Sequence, residues 1–346
     1  MMTAIDYGGY AIRSAFRNPT DPKAVTFLSE RSEYAVLPML DSFRDAIGRL
    51  GISYAKCEDS YVVFGNKADQ VRWLSRKPCA PLFADGHVPT TDAPARQILN
   101  ILTQSMLPTH SGRDSQCCFT TSGVRNDPRN VEFLSRLIRM HGFAPMFCSP
   151  TEATMLACGS VNNFTGVAVC MGTDITEVSL FRYGSEIIAE TLDVGSNWVD
   201  IEMAKQLQMK VWDDTGNCYL DLAAVREWKH DRSVHLRNST GERERTLSRL
   251  YGVILSRVAR TIRQFVASES VEKAIGTSPL AVICAGGPTQ IGGFANAMTE
   301  RLVEQDTASR IQSVSVVENP SLAVVRGLLI FGELESRRGR AVEFAA

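Results

Sequence analysis

The chain has no CxxC pair among its nine cysteines, and its five histidines share no metal-ligand spacing with them. That absence excludes the common zinc and dithiol motifs. Cys118, Cys148, Cys158, Cys170 and Cys284 lie inside apolar runs, where free buried thiols in a reducing cytoplasm are expected. Neither charge sign is in excess: Lys and Arg number 37, Asp and Glu 38, for a net charge of −1. A general nucleic-acid binder needs a basic surplus, so no nucleic-acid partner is expected. No apolar run approaches the length of a membrane span. The opening "MMTAIDYGGYAIRSAF" lacks a basic region followed by an apolar run, so neither a signal peptide nor a membrane anchor is expected. Low-complexity tracts are absent too.

What is present is 346 residues, 44% of them apolar, enough for two lobes with sizeable cores. "MTAIDYGGYAIRSAF" reads as strand, Gly-Gly turn, strand. A helix at "SFRDAIGRL" and a strand at "SYVVFG" come next, then a Pro- and Gly-containing loop over residues 77–94 and a helix over 95–107. "CCFTTSGV" reads as a buried strand. The helix after it is capped by Asp127, carries Pro128 in its first turn and stops at Gly142. "APMFCSP" is a strand, and "TEATMLACG" a helix ended by Gly159.

The second half repeats the plan. "GVAVCMGTDITEVSLF" is again strand, tight turn, strand, succeeded by a third strand, "EIIAETLDVG", and a helix, "NWVDIEMAKQLQ". Residues 210–245 read as polar and irregular, with one short helical piece, "LDLAAVREWKHD". Leu247, Leu250, Tyr251, Ile254, Val258, Ile262 and Phe265 then recur at helical spacing over residues 244–268. Arg249, Arg257, Arg260 and Arg263 occupy the other faces, as expected of a solvated side. "PLAVICAGGPTQIGGFANAMTERL" is strand, glycine turn, helix, and "SVSVVENPSLAVVRGLLIFGEL" strand, then helix. Two halves that each open with a hairpin and then alternate strand and helix make an α/β chain with mixed sheets.

Three turns carry candidate chemistry. In "DYGGY" the glycines Gly8 and Gly9 can offer backbone N–H groups to phosphate oxygens, and Asp6 can hold Mg²⁺ through water. "CMGTDITE" occupies the same strand–turn–strand position in the second half. In "AGGP", Gly286 and Gly287 permit close approach of a flat ligand or phosphate at a helix start.

In this order the segments resemble the actin-like ATPases of the actin, sugar-kinase and chaperone superfamily, nearest the bacterial filament-forming MreB and MamK types. "AIDYGGYAIRSA" resembles their first phosphate loop, "SPTEATMLACG" the connecting segment and "GVAVCMGTDITEVSLF" the second phosphate loop. "VICAGGPTQIGGFANAMTERL" is similar to the adenosine motif, and "TLDVGSNWVDIEMAKQL" and "VVENPSLAVVRGLL" to flanking segments; residues 20–95 match loosely.

The resemblance implies an actin-like fold of two lobes, each on a ribonuclease-H-like mixed sheet with flanking helices. The first lobe would span 1–150, with a small subdomain at about 20–75, and be completed by a C-terminal helix at about 320–346. The second would span 151–319, with a helical subdomain at about 203–275. ATP or ADP and Mg²⁺ would sit between them, and the chain would self-associate into cytoplasmic filaments. By the same resemblance Asp6 faces Mg²⁺, and Gly8, Gly9, Tyr10, Arg13, Gly172, Thr173 and Gly195 line the nucleotide. Gly286, Gly287 and Pro288 pack on the adenosine, Arg226 and Glu227 flank base and ribose, and Glu152 positions the attacking water.

The chain departs from the family pattern at the second loop, where Cys170 replaces an aspartate and Thr173 and Asp174 replace small residues. A neutral thiol is a poor partner for Mg²⁺ and its waters, so slow or impaired hydrolysis is expected, with Asp174 or Asp193 as candidate compensating acids. Alternative readings are a non-polymerising actin-fold scaffold or pseudo-ATPase, a small-molecule kinase of the same superfamily, and an α/β protein without nucleotide.

Overall fold

A computed structural model describes the chain apart from residues 19, 20, 22, 76, 110–114, 122–127, 238, 239 and 346, with backbone alone for 75 and 338–345. The opening hairpin pairs β1 (Met2–Tyr7) with β2 (Ala11–Arg17), and β3 (Val25–Arg31) adds to β2 antiparallel. The chain then builds a separate small sheet. It contains β4 (Glu33–Pro38), β5 (Ala55–Cys57), β6 (Ser60–Phe64) and the two-residue β7 (Ala80–Pro81), in the order β5-β6-β4-β7. Helices α1 (Asp41–Arg49) and α2 (Ala68–Ser75) bury Ile47 and Val71 against Leu37, Tyr61 and Val63 of that sheet.

Helix α3 (Ala93–Met106) starts where the Asp92 carboxylate accepts a hydrogen bond from the Ala95 N–H at 2.9 Å. Strand β8 (Gln116–Thr121) joins β1 in parallel, α4 (Arg129–Met140) crosses back, and β9 (Ala144–Phe147) pairs with β8. The expected cap Asp127 lies outside the described residues. Gly142, at φ +82°, takes the left-handed turn that ends α4. The sheet order is β3-β2-β1-β8-β9.

After α5 (Pro150–Cys158), the same plan recurs: β10 (Gly166–Met171), β11 (Thr176–Arg182) and β12 (Ser185–Leu192) run antiparallel. Helix α6 (Ser196–Gln206) leads into a small hairpin of β13 (Lys210–Trp212) and β14 (Cys218–Leu220), then α7 (Leu222–Lys229). The long α8 (Glu242–Val266) and short α9 (Glu269–Ile275) precede β15 (Leu280–Ala285), α10 (Phe294–Glu304), β16 (Ile311–Val316) and α11 (Pro320–Ala345). The order β12-β11-β10-β15-β16 mirrors the first sheet strand for strand.

Residues 210–237 and 240–245 therefore hold more regular structure than their polarity suggests. Asp213 nucleates the β13–β14 turn by accepting from the Thr215 hydroxyl at 2.7 Å, the Asn217 N–H at 2.8 Å and the Tyr219 hydroxyl at 3.1 Å. These bonds hold its carboxyl well below the usual range against the opposing effect of burial.

Period-two alternation divides each sheet between two cores. On β1, Ile5 and Tyr7 face α3 and α4, and on β10, Val167, Val169 and Met171 face α8. All seven residues of the expected α8 stripe are buried. The alternate positions are small: Ala4, Ala168 and Cys170 face a shared layer made by α5 and α11. The two helices approach so closely that a Cβ on Gly327 would come within 1.8 Å of the Ala153 carbonyl oxygen. The two sheets thus turn their small-residue faces toward each other across α5 and α11, and Asp6, next but one to Ala4, ends the first of those faces.

Candidate functional site

In the first hairpin, Asp6 is the ladder partner of Arg13, and the Arg13 guanidinium lies 3.9 Å from its carboxylate. Burial raises the Asp6 carboxyl from 3.8 to about 6, with Arg13 opposing the shift. A Cβ on Gly8 would meet the Ala11 carbonyl at 2.8 Å, so this tight turn needs a residue without a side chain. Ser32 braces it, donating its hydroxyl to the Gly8 carbonyl at 2.6 Å. Tyr10 is held by Arg31, whose guanidinium donates to the phenol oxygen at 2.7 Å and stacks 4.1 Å from the ring centre. His230 also packs edge-on against Tyr10, with its ring centre 5.9 Å away.

In the second hairpin, Cys170 is the ladder partner of Glu177. Its sulfur lies 2.9 Å from the Thr154 hydroxyl and donates to the Pro150 carbonyl at 3.3 Å. Burial pushes the thiol far up, and the negative fields of Glu177 and Asp6 add to the shift, so Cys170 stays neutral. The start of α6 docks directly on the turn: the Ser196 N–H donates to the Gly172 carbonyl at 3.1 Å and the Asn197 N–H to the Thr173 carbonyl at 2.7 Å. Asp174 accepts from the Asn197 amide at 3.2 Å. Burial raises its carboxyl to about 6, the Asn197 bond opposing and the Asp85 field adding. The two hairpin turns touch, since a Cβ on Gly9 would lie 2.8 Å from an Asp174 carboxylate oxygen.

The third turn comes after β15. Gly286 sits at φ +100°, and a Cβ there would come within 2.0 Å of the Met171 carbonyl oxygen, so no other residue fits. Gly287 faces open space, with the Ser321 hydroxyl oxygen 3.9 Å from its would-be Cβ as the nearest neighbour. The Pro288 carbonyl accepts from the Tyr251 hydroxyl at 3.2 Å.

All three turns line one inner cavity of about 510 Å³ between the two sheets. An outer cavity of about 680 Å³ opens on the far side of the touching turns, between the small sheet and the β13–β14 hairpin with α7. Gly9, Tyr10, Thr173 and Arg226 line both. Of the sixteen residues that the resemblance assigns or that depart from its pattern, the structure places twelve on the inner cavity and four elsewhere.

The four have separate reasons. Gly195 lies beneath the second turn, where a Cβ would stand 2.4 Å from the Thr173 carbonyl; it lets α6 dock rather than facing the cavity. Asp174 lines the outer cavity. Glu227 is exposed to solvent, because neighbouring residues on a helix point in different directions. Glu152, in the first turn of α5, is within 3.6 Å of the Cys148 thiol. Burial raises its carboxyl, Cys148 opposes, and the fields of Glu186 and Glu335 raise it further. Asp193 is exposed and lines neither cavity.

What sequence reasoning missed is a polar network on the wall of the inner cavity. Asp200 on α6 is 2% exposed and pairs with Arg226 at 3.0 Å and with Lys229. Arg226 also donates to the Asn197 side-chain oxygen at 3.0 Å. The i, i+3 spacing of Arg226 and Lys229 was the available signal, since it puts both cations on one face of α7.

The chain resembles solved structures along nearly its whole length. The MamK double helical filament matches at TM-score 0.67 and 14% identity, covering 96% of this chain and 99% of that one. MreB 5 of Spiroplasma citri bound to AMPPNP matches at 0.70 and 12%, covering 98% of each. The ethanolamine utilization protein EutJ from Carboxydothermus hydrogenoformans matches at 0.54 and 16%, covering 95% and 89%. The fold is therefore actin-like. No curated protein matches the sequence. A family model described as Volactin matches residues 1–331.

Proposed function

The chain belongs to the Volactin family, and we propose that its actin-like fold binds ATP or ADP, with Mg²⁺, in the inner cavity. The observation that carries this reading is the convergence of three glycine-bearing turns, from two sheets of identical strand order, on one cavity of about 510 Å³. That size lies within the range of small-molecule sites. Gly287 leaves backbone open to a ligand, and Arg13, Lys229 and Arg226 bring N–H donors to the wall, where Asp6 and Asp200 balance their charge. The structure of MreB 5 with AMPPNP supports the same assignment by likeness of fold.

The residues present fit a metal bound jointly with phosphates rather than by protein alone. Among the described residues, no group of three His, Cys, Asp or Glu side chains is placed to hold a metal ion. Asp6 offers a hard carboxylate oxygen, which Mg²⁺ accepts through its waters; Cys170, a neutral thiol, does not. Mg²⁺ would supply charge neutralisation at the phosphates, and without a second-loop aspartate hydrolysis is slow.

The first lobe comprises 1–150 and α11, the second 151–319, with the nucleotide between them. The assembled form is a cytoplasmic filament, for which the fold likeness to the MamK double helical filament is the support. Identical head-to-tail contacts extend without closing, which yields such polymers. The uncharged Cys170 favours, as a second reading, a non-polymerising pseudo-ATPase scaffold.

Calorimetric titration with Mg-ATP, alongside sedimentation with and without nucleotide, tests the proposal. Saturable binding with nucleotide-dependent pelleting is the expected result. Binding without pelleting favours the scaffold, and absence of binding rejects the nucleotide site. In parallel, Cys170→Asp should release phosphate about 10²-fold faster than wild type; equal rates would refute the explanation of slow turnover.

A further inference from the structure

The two hairpins place their ladder partners identically. Asp6 pairs with Arg13 and Cys170 with Glu177, seven positions apart in each case. In an antiparallel ladder, directly opposed residues project from the same face. All four side chains line the inner cavity. Each hairpin therefore delivers one carboxylate there, from the first strand in one case and from the second strand in the other.

Glu177 is 3% exposed. Burying a carboxylate is costly, and this one is placed on the cavity wall beside the Cys170 ladder position. The strand that carries it is rigidly held on both sides: Thr176 donates its hydroxyl to the Val194 carbonyl at 2.7 Å, and the Ser179 hydroxyl lies 2.8 Å from that of Thr151. That support suits a group required to hold one orientation. Glu152, by contrast, is set outside the cavity.

We infer that Glu177, rather than Glu152, is the catalytic carboxylate of the inner cavity, accepting a hydrogen bond from the water that attacks the terminal phosphate. This inference rests on the nucleotide reading above. In the step, the water oxygen bonds to the terminal phosphorus. The bond from that phosphorus to the bridging oxygen breaks, and its electron pair leaves with ADP. The proton lost by the water passes to Glu177 and on to solvent.

The test compares wild type, Glu177→Gln and Glu152→Gln in three readouts: melting temperature, calorimetric ATP affinity, and phosphate release in a single turnover. Glu177→Gln should melt and bind ATP like wild type, yet release phosphate at least about 10²-fold more slowly. After gel filtration it should retain intact ATP where wild type carries ADP. Glu152→Gln should match wild type in all three. Unchanged release from Glu177→Gln overturns the inference, as does a larger loss from Glu152→Gln. Wild type that binds ATP but releases no phosphate rejects the Glu177 role and leaves the nucleotide site standing. Failure of wild type to bind ATP rejects both.

Discussion

The first hairpin is braced by residues soon after it in the chain, Ser32 and Arg31, which hold Gly8 and Tyr10. The second is braced by segments later in the chain: the α6 N-terminus on Gly172 and Thr173, and the Gly286 backbone against Met171. The charges differ as much as the supports. Asp6 faces a cation across its ladder, whereas neutral Cys170 faces an acid. Two copies of one strand order can thus keep a turn in the same place by unrelated contacts and with opposite electrostatics, because hairpin register follows apolar alternation and turn geometry rather than the charges at the turn.

The largest effect expected from this contrast is on the second hairpin's scaffold. Asp200→Asn leaves Arg226 and Lys229 without their buried counter-charge and should cost about 3–5 kcal/mol in chemical denaturation. A cost under about 1 kcal/mol, the usual worth of a surface pair, would show that Asp200 does not act as a buried counter-charge to α7.

Next comes the asymmetry of the two ladder positions. Asp6→Asn should lower phosphate release about 10²-fold, whereas Cys170→Ser should change it less than about threefold, the hydroxyl keeping the contacts to Thr154 and Pro150. Similar losses from both would mean that the hairpins contribute alike.

The smallest effect is on pH dependence. Asp6 and Asp174 each move from 3.8 to about 6 on folding. A group that binds its proton more tightly in the folded chain stabilises the fold while protonated, and that contribution is lost as pH rises through the folded value. The melting temperature of the ligand-free protein should therefore carry a decline between about pH 4 and 6, which Asp6→Asn and Asp174→Asn each flatten. A rise over that window attributable to either residue would reverse the sign of its burial cost.

Much of this architecture is legible in sequence because its signals are local. The glycine doublets, the α8 stripe and the strand alternation are each read within one element, and the family resemblance carried by the order of the three turns is what implies that they share one cleft. Strand β3 and the β13–β14 hairpin carry too little alternation to be seen. Asp213, which builds the latter, becomes a hub when Thr215, Asn217 and Tyr219 fold around it. The pairing of Arg226 with Asp200 joins two helices, information no local pattern holds. The direction of Glu152 is set by how α5 packs, and the nearness of Glu177 to Cys170 by ladder register, which appears once both strands are aligned.

The tight seat of α11 against α5, with Gly327 on the Ala153 carbonyl, has a consequence for biosynthesis. Ala4, Ala15 and Cys118 belong to strands made early, yet the layer that covers them includes Val325 and Leu328, made late. During translation the first sheet emerges with one apolar face uncovered until α11, which follows the whole second sheet in the chain, is made. Domains generally fold as units while being made; here the sheet made first gains part of its cover only after the second sheet is made.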